Sequence, residues 1–418
     1  MACLYERIVG VFSNYRQKLI RINRKYDRYH TLRSKNVITF REISSSLNTT
    51  QMLRYGFVFL LLIHGLIHVL GFLKAFQISE VSQLTQPISK PLGMLWLAAM
   101  LLFLATTVFF LQGNGYWPIL AFTAIGLSQV LILTAWQDAR FGTIANLIIL
   151  VVAIVGYGSW RFEESFRKDV RESLARTNTQ QSELLTESDL SHLPAPLQRY
   201  IRYAGAVGQP KVKNVRIVFE GQMREKGKDW FDFTSEQYNF YDEEPTRLFF
   251  MKARIKGLPT VGYHRYKGNR SGMHIRLLSL FPVVDLEGEE MFRSETVTLF
   301  NDMCLFAPAA LIDGRIQWEA VDETSAKATF TNKGVSISAT LFFNDKGELV
   351  DFVSDDRSAR TATGMENLRF STPAGEYHTY NGYRLTSYGE AVYHYPDGKF
   401  SYGVFNTKRV EYNVSELK

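Results

Sequence analysis

Cysteine is scarce in this sequence, and its scarcity excludes several kinds of site. The 418 residues contain two cysteines, Cys3 and Cys304. Two cysteines cannot supply a disulfide framework or a cysteine-ligated metal site. The sequence also lacks a Gly-rich dinucleotide fingerprint, a Ser/His/Asp elbow and a Cys/His dyad. Enzymatic activity therefore stays open, but these absences favour a protein without catalytic residues.

Acidic residues are few in residues 1–56, which we expect to form a basic N-terminal tail. Eleven lysines and arginines stand there against three acidic residues. Such a cluster beside a membrane segment is typical of a cytoplasmic topology signal or of contact with anionic lipid. No nucleic-acid partner is expected, because the tail has no recognisable nucleic-acid-binding fold. A cleaved signal peptide is not predicted before so long a polar stretch, and the true start could be Met1 or Met52.

Long apolar runs are confined to residues 57–160, where four follow one another. Each reaches the roughly 20 residues that a helix needs to cross the hydrocarbon core. The runs are 57–76, 91–111, 116–136 and 141–160. We therefore predict an α-helical transmembrane bundle of four spans, surrounded by lipid in the cell (inner) membrane. Basic residues are dense before the first span and after the fourth, which predicts that both termini are cytoplasmic.

Residues 161–190 are predicted to form a charged helical linker, and residues 191–418 a β-rich domain. From Val215 onward, apolar and polar residues alternate with the period of a half-buried strand. Turn signals separate further runs of this kind, as sequential antiparallel hairpins require. These runs are 230–241, 247–255, 260–267, 272–279, 316–322, 326–332, 335–343, 348–355, 383–395 and 399–412. Because the apolar segment Glu295–Leu311 interrupts them, we predict an open or half-barrel sheet with an inserted apolar helix.

Two histidines stand within the first apolar run. His64 and His68 are four residues apart and share one helix face. Ionisable residues inside a membrane are costly and often functional, so that one hypothesis is a metal or redox site. The alternative is that neutral histidines hydrogen-bond across the bundle, with Gln129 as the expected partner at similar depth. No cofactor is predicted with this choice open.

Aromatic residues are frequent in the β domain, where they suggest either an ordinary core or an apolar cleft. The cleft hypothesis places a lipid-like ligand between the sheet and the inserted helix. Its expected lining is Phe249, Phe250, Leu299, Phe300, Met303, Phe306 and Phe342. The remaining histidines (His264, His274, His378 and His394) lack ligand spacing, and we interpret them as strand residues. The acidic residues from Asp285 to Glu290 are interpreted as a solvated turn.

Several spaced motifs resemble an uncharacterised family of bacterial membrane-associated proteins with a domain of unknown function. They include L-P-x-P-x-x-R-Y at 193–200, Trp230-Phe231, G-Y-x-x-Y-x-G at 262–268 and Trp318-Glu319. The four-helix region is similar to that of some members. The resemblance implies no established activity. In shape the family is similar to the half-barrel of bacterial lipoprotein carriers, which is an analogy of fold.

Three hypotheses of function follow from the sequence. The first is a multi-pass membrane protein whose β domain binds a lipid-like ligand or an envelope partner. The second is a membrane-embedded metal or redox protein that uses His64 and His68. The third is a non-catalytic membrane scaffold whose β domain contacts another protein. The ligand, the partner and the oligomeric state do not follow from the sequence.

Overall fold

The computed structural model describes residues 49–177, 183–361 and 364–418. Most of the predicted basic tail lies outside these residues. Six helices come first along the described chain: α1 (Thr49–Ile67), α2 (Val69–Ala75), α3 (Lys90–Leu111), α4 (Trp117–Thr134), α5 (Trp136–Ala139) and α6 (Gly142–Thr177). Four stretches, Gln51–Ala75, α3, α4 and α6, are long and apolar enough to cross a membrane. They coincide with the four predicted apolar runs.

Local sequence explains where these helices start and how closely they pack. Ser89 caps α3 through its side chain, and Pro91 stands in the first turn, where a missing N–H costs nothing. Small residues bring the helices together, since a Cβ at Gly71 would lie 2.1 Å from the Trp96 ring. At the other end of the bundle, Arg54 Nη2 donates to the carbonyl oxygen of Leu111 at 2.8 Å. The start of α1 and the end of α3 therefore lie on the same side.

The β domain is built on one antiparallel sheet of fourteen described strands. Neighbours in sequence pair as hairpins through most of the sheet, and β1 also pairs with β14. The path runs β6-β5-β4-β3-β2-β1-β14-β13-β11-β10-β9-β8-β7, and β12 pairs with β13 off it. The strands are β1 Asn214–Met223, β2 Phe231–Phe240, β3 Thr246–Ile255, β4 Leu258–Lys267, β5 Arg270–Leu277, β6 Phe281–Glu287, β7 Ile316–Ala320, β8 Ser325–Asn332, β9 Val335–Phe343, β10 Leu349–Arg360, β11 Met365–Ser371, β12 Ala374–Tyr380, β13 Tyr383–Tyr395 and β14 Gly398–Tyr412.

The inserted helix predicted from the sequence is present inside this half-barrel. Helix α7 (Ala195–Tyr203) precedes the sheet, and α8 (Glu289–Phe306) lies on its inner face, followed by a 3₁₀ turn at Pro308–Ala310. Helix α8 begins six residues before the predicted Glu295, at the point where Gly288 adopts a φ of 108° that suits glycine. The hydroxyl of Tyr266 accepts a hydrogen bond from Asn332 Nδ2 at 2.7 Å, which links the two arms of the sheet across the mouth.

The predicted charged linker is largely a continuation of the fourth apolar helix. Helix α6 runs without interruption from Gly142 to Thr177 and packs its charged half on the outer face of β2 and β3. Phe166 stacks on Phe250 with ring centroids 5.3 Å apart. The acidic residue Glu163, nearer the apolar half, is paired with Lys252 at 2.7 Å. At the distal end, Arg176 is paired with Asp242 at 2.5 Å.

This order of contacts fixes the direction of the sheet. When α6 is followed from its distal end back towards its apolar half, the part of β3 that it contacts shifts from the start of the strand to its end. At Ser159, beside the end of the apolar run, the hydroxyl donates to Ser279 in the β5–β6 turn at 2.7 Å. The β3–β4 and β5–β6 turns therefore lie beside the end of the fourth candidate span.

Candidate functional site

The inner face of the sheet carries an apolar surface that α8 covers only in part. Register assigns to this face every second residue from Arg247 and Phe249, which face α8. Towards the β3–β4 and β5–β6 turns, the same face carries apolar side chains that are only half-buried. We call this surface the inner strip. It consists of Met223, Phe231, Ala253, Ile255, Ile275 and Leu277.

The inner strip crosses the strands from β1 to β5. Four intervals of about 4.8 Å between five neighbouring strands give a length of roughly 19 Å. That exceeds half of the roughly 30 Å hydrocarbon core of a bilayer, which is the length available to one lipid tail. Its β5 end, at Ile275 and Leu277, lies next to the β5–β6 turn beside α6. Helix α8 lies on the side of the strip away from the turns. An elongated apolar molecule fits this arrangement better than a compact one.

Helix α8 fills the remainder of the half-barrel, where the sequence predicted a cleft. Phe300 packs between Phe330 and Phe352, with ring centroids at 5.3 and 5.9 Å. Leu299, Phe300 and Met303 are fully buried, and Phe306 is nearly so. These side chains therefore belong to a packed interior and do not line an open space against the sheet.

The structure brings together five of the seven predicted lining residues. Phe249 joins the four α8 residues in one core cluster. Phe250 lies on the outer face, against Phe162 and Phe166 of α6. Phe342 is 40% exposed and precedes the buried Phe343. Successive residues of a strand point to opposite faces, and for that reason neighbours in sequence were grouped wrongly with one face.

A buried charged cluster joins α8 to the sheet. Arg247 on β3 donates through Nε to Asp302 at 2.6 Å and through Nη1 to Glu295 at 3.0 Å. Gln237 on β2 donates to Asp302 at 2.7 Å. Burial by itself would raise the pKa of the Glu295 carboxyl, but the charge of Arg247 and the hydrogen bond from His264 outweigh it and lower the pKa to about 2. The carboxylate therefore stays ionised, and the cluster holds α8 in place.

Sequence reasoning missed this cluster. Gln237 and Arg247 occupy inward positions on strands whose neighbours are apolar, and a charged residue at such a position signals a buried partner. The partners on α8 could not be chosen from the sequence, because the contact depends on how the helix crosses the sheet.

A second arginine of the inner face has a different surrounding. Arg357 Nη1 donates to the hydroxyls of Tyr402 and Tyr393 at 2.7 and 2.9 Å. Its guanidinium lies 4.4 Å from the centroid of the Phe370 ring. Among the ion pairs of the described residues, none involves Arg357. Burial disfavours the charge of Arg357, but the interactions with Tyr393 and Tyr402, and then with Glu295, outweigh it and raise the pKa of the guanidinium.

The histidine pair lies in the interior of the helical bundle. His64 Nε2 is 2.9 Å from Asn146 Oδ1, and His68 Nε2 is 2.9 Å from Ser128 Oγ. Asn146 Nδ2 donates to Gln129 Oε1 at 3.1 Å. Gln129, the expected partner, therefore belongs to the network but reaches it through Asn146. Ser128 and Asn146 lie on two other helices, and nothing in the sequence around them indicated that they would hydrogen-bond to the histidines.

Metal-binding groups were sought among the described residues. No group of three or more His, Cys, Asp or Glu side chains in that part of the chain is arranged to hold a metal ion. Each of the two histidines has a hydrogen-bond partner on another helix of the bundle. This is the arrangement expected of the packing alternative.

The acidic residues from Asp285 to Glu290 lie at the mouth of the half-barrel, away from the inner strip. Asp285 and Glu287 belong to β6, and Glu289 and Glu290 begin α8, so that the segment is a strand end and a helix start where a turn was predicted. A polar cleft of about 1030 Å³ opens there. Its lining includes Glu287, Glu289, Arg270 and Lys333, a mixture of both charges. Another open cleft, of about 680 Å³, lies on the outer face beside Thr234 and Lys252.

Several solved structures show a weak likeness to the β domain. An outer membrane lipoprotein-sorting protein domain from Vibrio parahaemolyticus is 10% identical, covers 53% of this chain and 93% of its own, and has a TM-score of 0.32. A LolA superfamily protein from Nitrosomonas europaea is 9% identical over 52% and 93%, with a TM-score of 0.30. A DUF1329 family protein from Desulfovibrio piger is 12% identical over 54% and 95%, with a TM-score of 0.26. At these TM-scores the likeness carries no functional assignment.

Comparison with protein-family models gives a firmer result than the solved structures. A search of the curated proteins, in contrast, returned no significant match. The model of a family of unknown function (DUF6544) matches residues 183–405, which begin after α6 and end within β14. Because this match spans more than half of the 418 residues, the chain belongs to that family of unknown function, DUF6544.

Proposed function

We propose that this chain is a multi-pass membrane protein whose β domain binds one lipid tail, or a similar elongated apolar ligand, along the inner strip. The observation that carries the proposal is the partly buried apolar inner face that continues from α8 to the turns beside α6. Its side chains keep part of their apolar surface in contact with water, and an apolar partner would cover that surface. The ligand therefore lies on Met223, Phe231, Ala253 and their neighbours, and not between α8 and the sheet.

The source of the ligand follows from the position of the strip. Its β5 end lies beside the end of the apolar half of α6, so that a lipid tail leaves the bilayer without a long path through water. The lipid tail then exchanges the apolar interior of the bilayer for the apolar strip. The favourable free energy comes from removing the strip itself from water. Burial of apolar surface contributes on the order of 25 cal/mol per Å². The head group stays near the membrane boundary in this arrangement.

The membrane orientation is part of the same proposal. Arg54, at the start of α1, lies on the side of the bundle that carries the β domain. Arg54 is the last of the eleven basic residues of the predicted tail, and basic residues near span ends favour the cytoplasm. Both termini and the β domain are therefore cytoplasmic, and the ligand comes from the inner leaflet.

Lipid retention by the purified chain tests the ligand. The chain with Ala253→Trp, which places a large ring on the strip, is compared with Thr234→Trp, which places the same ring on the outer face of the neighbouring strand. Thr234 is exposed and Ala253 is partly buried at the edge of the core, so melting temperatures of both variants are measured to separate loss of lipid from loss of stability. After exhaustive detergent exchange, mass spectrometry should find less tightly held lipid in the Ala253 variant alone. Equal lipid in all three proteins would contradict the proposal.

A further inference from the structure

The β5–β6 turn presents apolar side chains at the level of the membrane boundary. Residues Leu277, Leu278 and Leu280 surround Ser279, whose hydroxyl accepts the hydrogen bond from Ser159 of α6. Leu280 also lies against α6, because a Cβ at Gly158 would stand 2.6 Å from Leu280 Cδ2. Gly158 and Ser159 end the last apolar run, and the turn is therefore level with the end of the span.

The strand that follows the turn is an apolar edge of the sheet. Phe281 is 59% exposed and Val283 is 56% exposed, on a strand that pairs with β5 alone. An edge strand in water normally carries charges or other features that discourage association. The first half of β6, Phe281-Pro282-Val283-Val284, carries no charge, and only Pro282 and an irregularity in its pairing with β5 would discourage association. Apolar residues in this place indicate a surrounding other than water.

The backbone of the turn points in the same direction. Leu278 adopts a φ of 52° and Ser279 a φ of 59°. Positive φ is unusual for a side chain as large as leucine, and glycine or asparagine would satisfy it at less cost. The leucine side chain therefore stands in this turn against its backbone preference.

A second turn beside the first adds positive charge. The backbone N–H of Leu278 donates to the carbonyl oxygen of Pro259 at 2.7 Å, which joins the β5–β6 turn to the β3–β4 turn. The latter contains exposed Lys256 and Leu258, with Arg254 just before them. Arg276 lies over the Phe162 ring at 4.6 Å. Apolar side chains flanked by cations are typical of segments that enter the interface of an anionic bilayer.

We infer that the β3–β4 and β5–β6 turns enter the head-group layer of the membrane, with Leu278, Leu280 and Phe281 in the acyl boundary and Arg254, Lys256 and Arg276 on anionic lipid head groups. This contact gives the β domain a second attachment besides α6 and directs the inner strip towards the leaflet. The inference rests on the membrane placement proposed above, but it does not require that the strip bind a ligand.

An environment-sensitive fluorophore tests the depth of the turn. The full chain, with Cys3→Ser to remove the tail thiol, is labelled through Phe281→Cys or, as the matched control, through Phe342→Cys on β9. Both native side chains are exposed, and Cys304 is buried. In nanodiscs that contain phosphatidylglycerol, we expect a blue-shifted emission at position 281 and quenching by lipids that carry a nitroxide near the head group. The control should show neither.

The contact between the basic residues and the anionic head groups is tested by a separate set of variants. The pair Arg254→Glu with Lys256→Glu should weaken quenching at position 281 in anionic nanodiscs, whereas Lys346→Glu, in the distant β9–β10 turn, should not. Phosphatidylcholine alone should give weaker quenching than the anionic mixture. Water-like emission at position 281, equal to that of the control, would overturn the inference even if lipid is retained on the strip. Unchanged quenching after charge reversal would overturn the role of the basic residues.

Discussion

Arg247 on β3 donates to Asp302 on α8 at 2.6 Å, and this contact holds the helix against the inner face of the sheet. The same guanidinium also donates to Glu295, which lies seven residues earlier on the same helix, at 3.0 Å. The side chains of Arg247, Glu295 and Asp302 are at most 10% exposed. A helix held by two buried ion pairs is a fixed part of the half-barrel. The free apolar surface is therefore the strip that α8 leaves uncovered.

Removal of Arg247 should lower the stability of the fold far more than removal of an arginine from an exposed ion pair. Arg247→Met leaves two buried carboxylates without the arginine that neutralises them, and such a change costs about 3–5 kcal/mol. The matched control is Arg369→Met, which breaks the exposed pair with Asp355 and should cost about 0–1 kcal/mol. Melting temperatures of the purified full-length variants provide the comparison. Similar melting temperatures would show that the cluster is not what fixes α8.

Asp351 on β10 should make stability depend on pH. Burial raises the pKa of its carboxyl to about 6, although backbone N–H groups oppose the shift. Since the folded-state pKa lies above the unfolded value of about 3.9, the native state is favoured at low pH, and this contribution is lost between about pH 4 and pH 6. Asp351→Asn should therefore raise the melting temperature at pH 7.5 but not at pH 4. A gain that is equal at both pH values would contradict the assignment.

The histidines of the helical bundle should tolerate replacement by a residue with an amide side chain. His68→Asn keeps a side chain that can hydrogen-bond to Ser128, and it should retain expression and folding. His68→Leu is the matched variant, because it leaves Ser128 without this partner, and it should be less stable. Metal analysis of the purified wild-type chain should find no stoichiometric ion. One bound transition metal per chain, lost in His68→Asn, would instead support the metal hypothesis.

The orientation can be measured with reporter fusions. A reporter fused after Lys418 should be active as a cytoplasmic protein, because the β domain lies on the side of the bundle that holds the start of α1. A reporter in the connection between α2 and α3 should behave as external. Activity of the C-terminal fusion outside the cytoplasm would reverse the leaflet from which the ligand is taken.

The sequence predicted the elements better than their arrangement. Four apolar runs and the alternation from Val215 are local signals, and both were confirmed as helices and strands. Three strands were missed. β6 contains Pro282, and β11 and β12 are short and polar, so that none of them shows a clear alternation.

The candidate site was harder to predict, because it depends on contacts between distant residues. The aromatic pair Phe249 and Phe250 was assigned to one surface, but strand geometry sends the two rings to opposite faces. Met223 and Ala253 carry no chemical signal of their own. They become part of the proposed binding surface only through the register of β1, β2 and β3 and through the length of α8.

The most direct test of the central proposal is to map where a lipid tail touches the β domain. The full-length chain is reconstituted with a phospholipid that carries a photoreactive group near the end of its acyl chain, and the cross-linked peptides are identified by mass spectrometry. We predict cross-links to Met223, Phe231, Ala253 and Ile275 besides those within the spans. Cross-links confined to the spans would contradict the proposal that the inner strip holds a lipid.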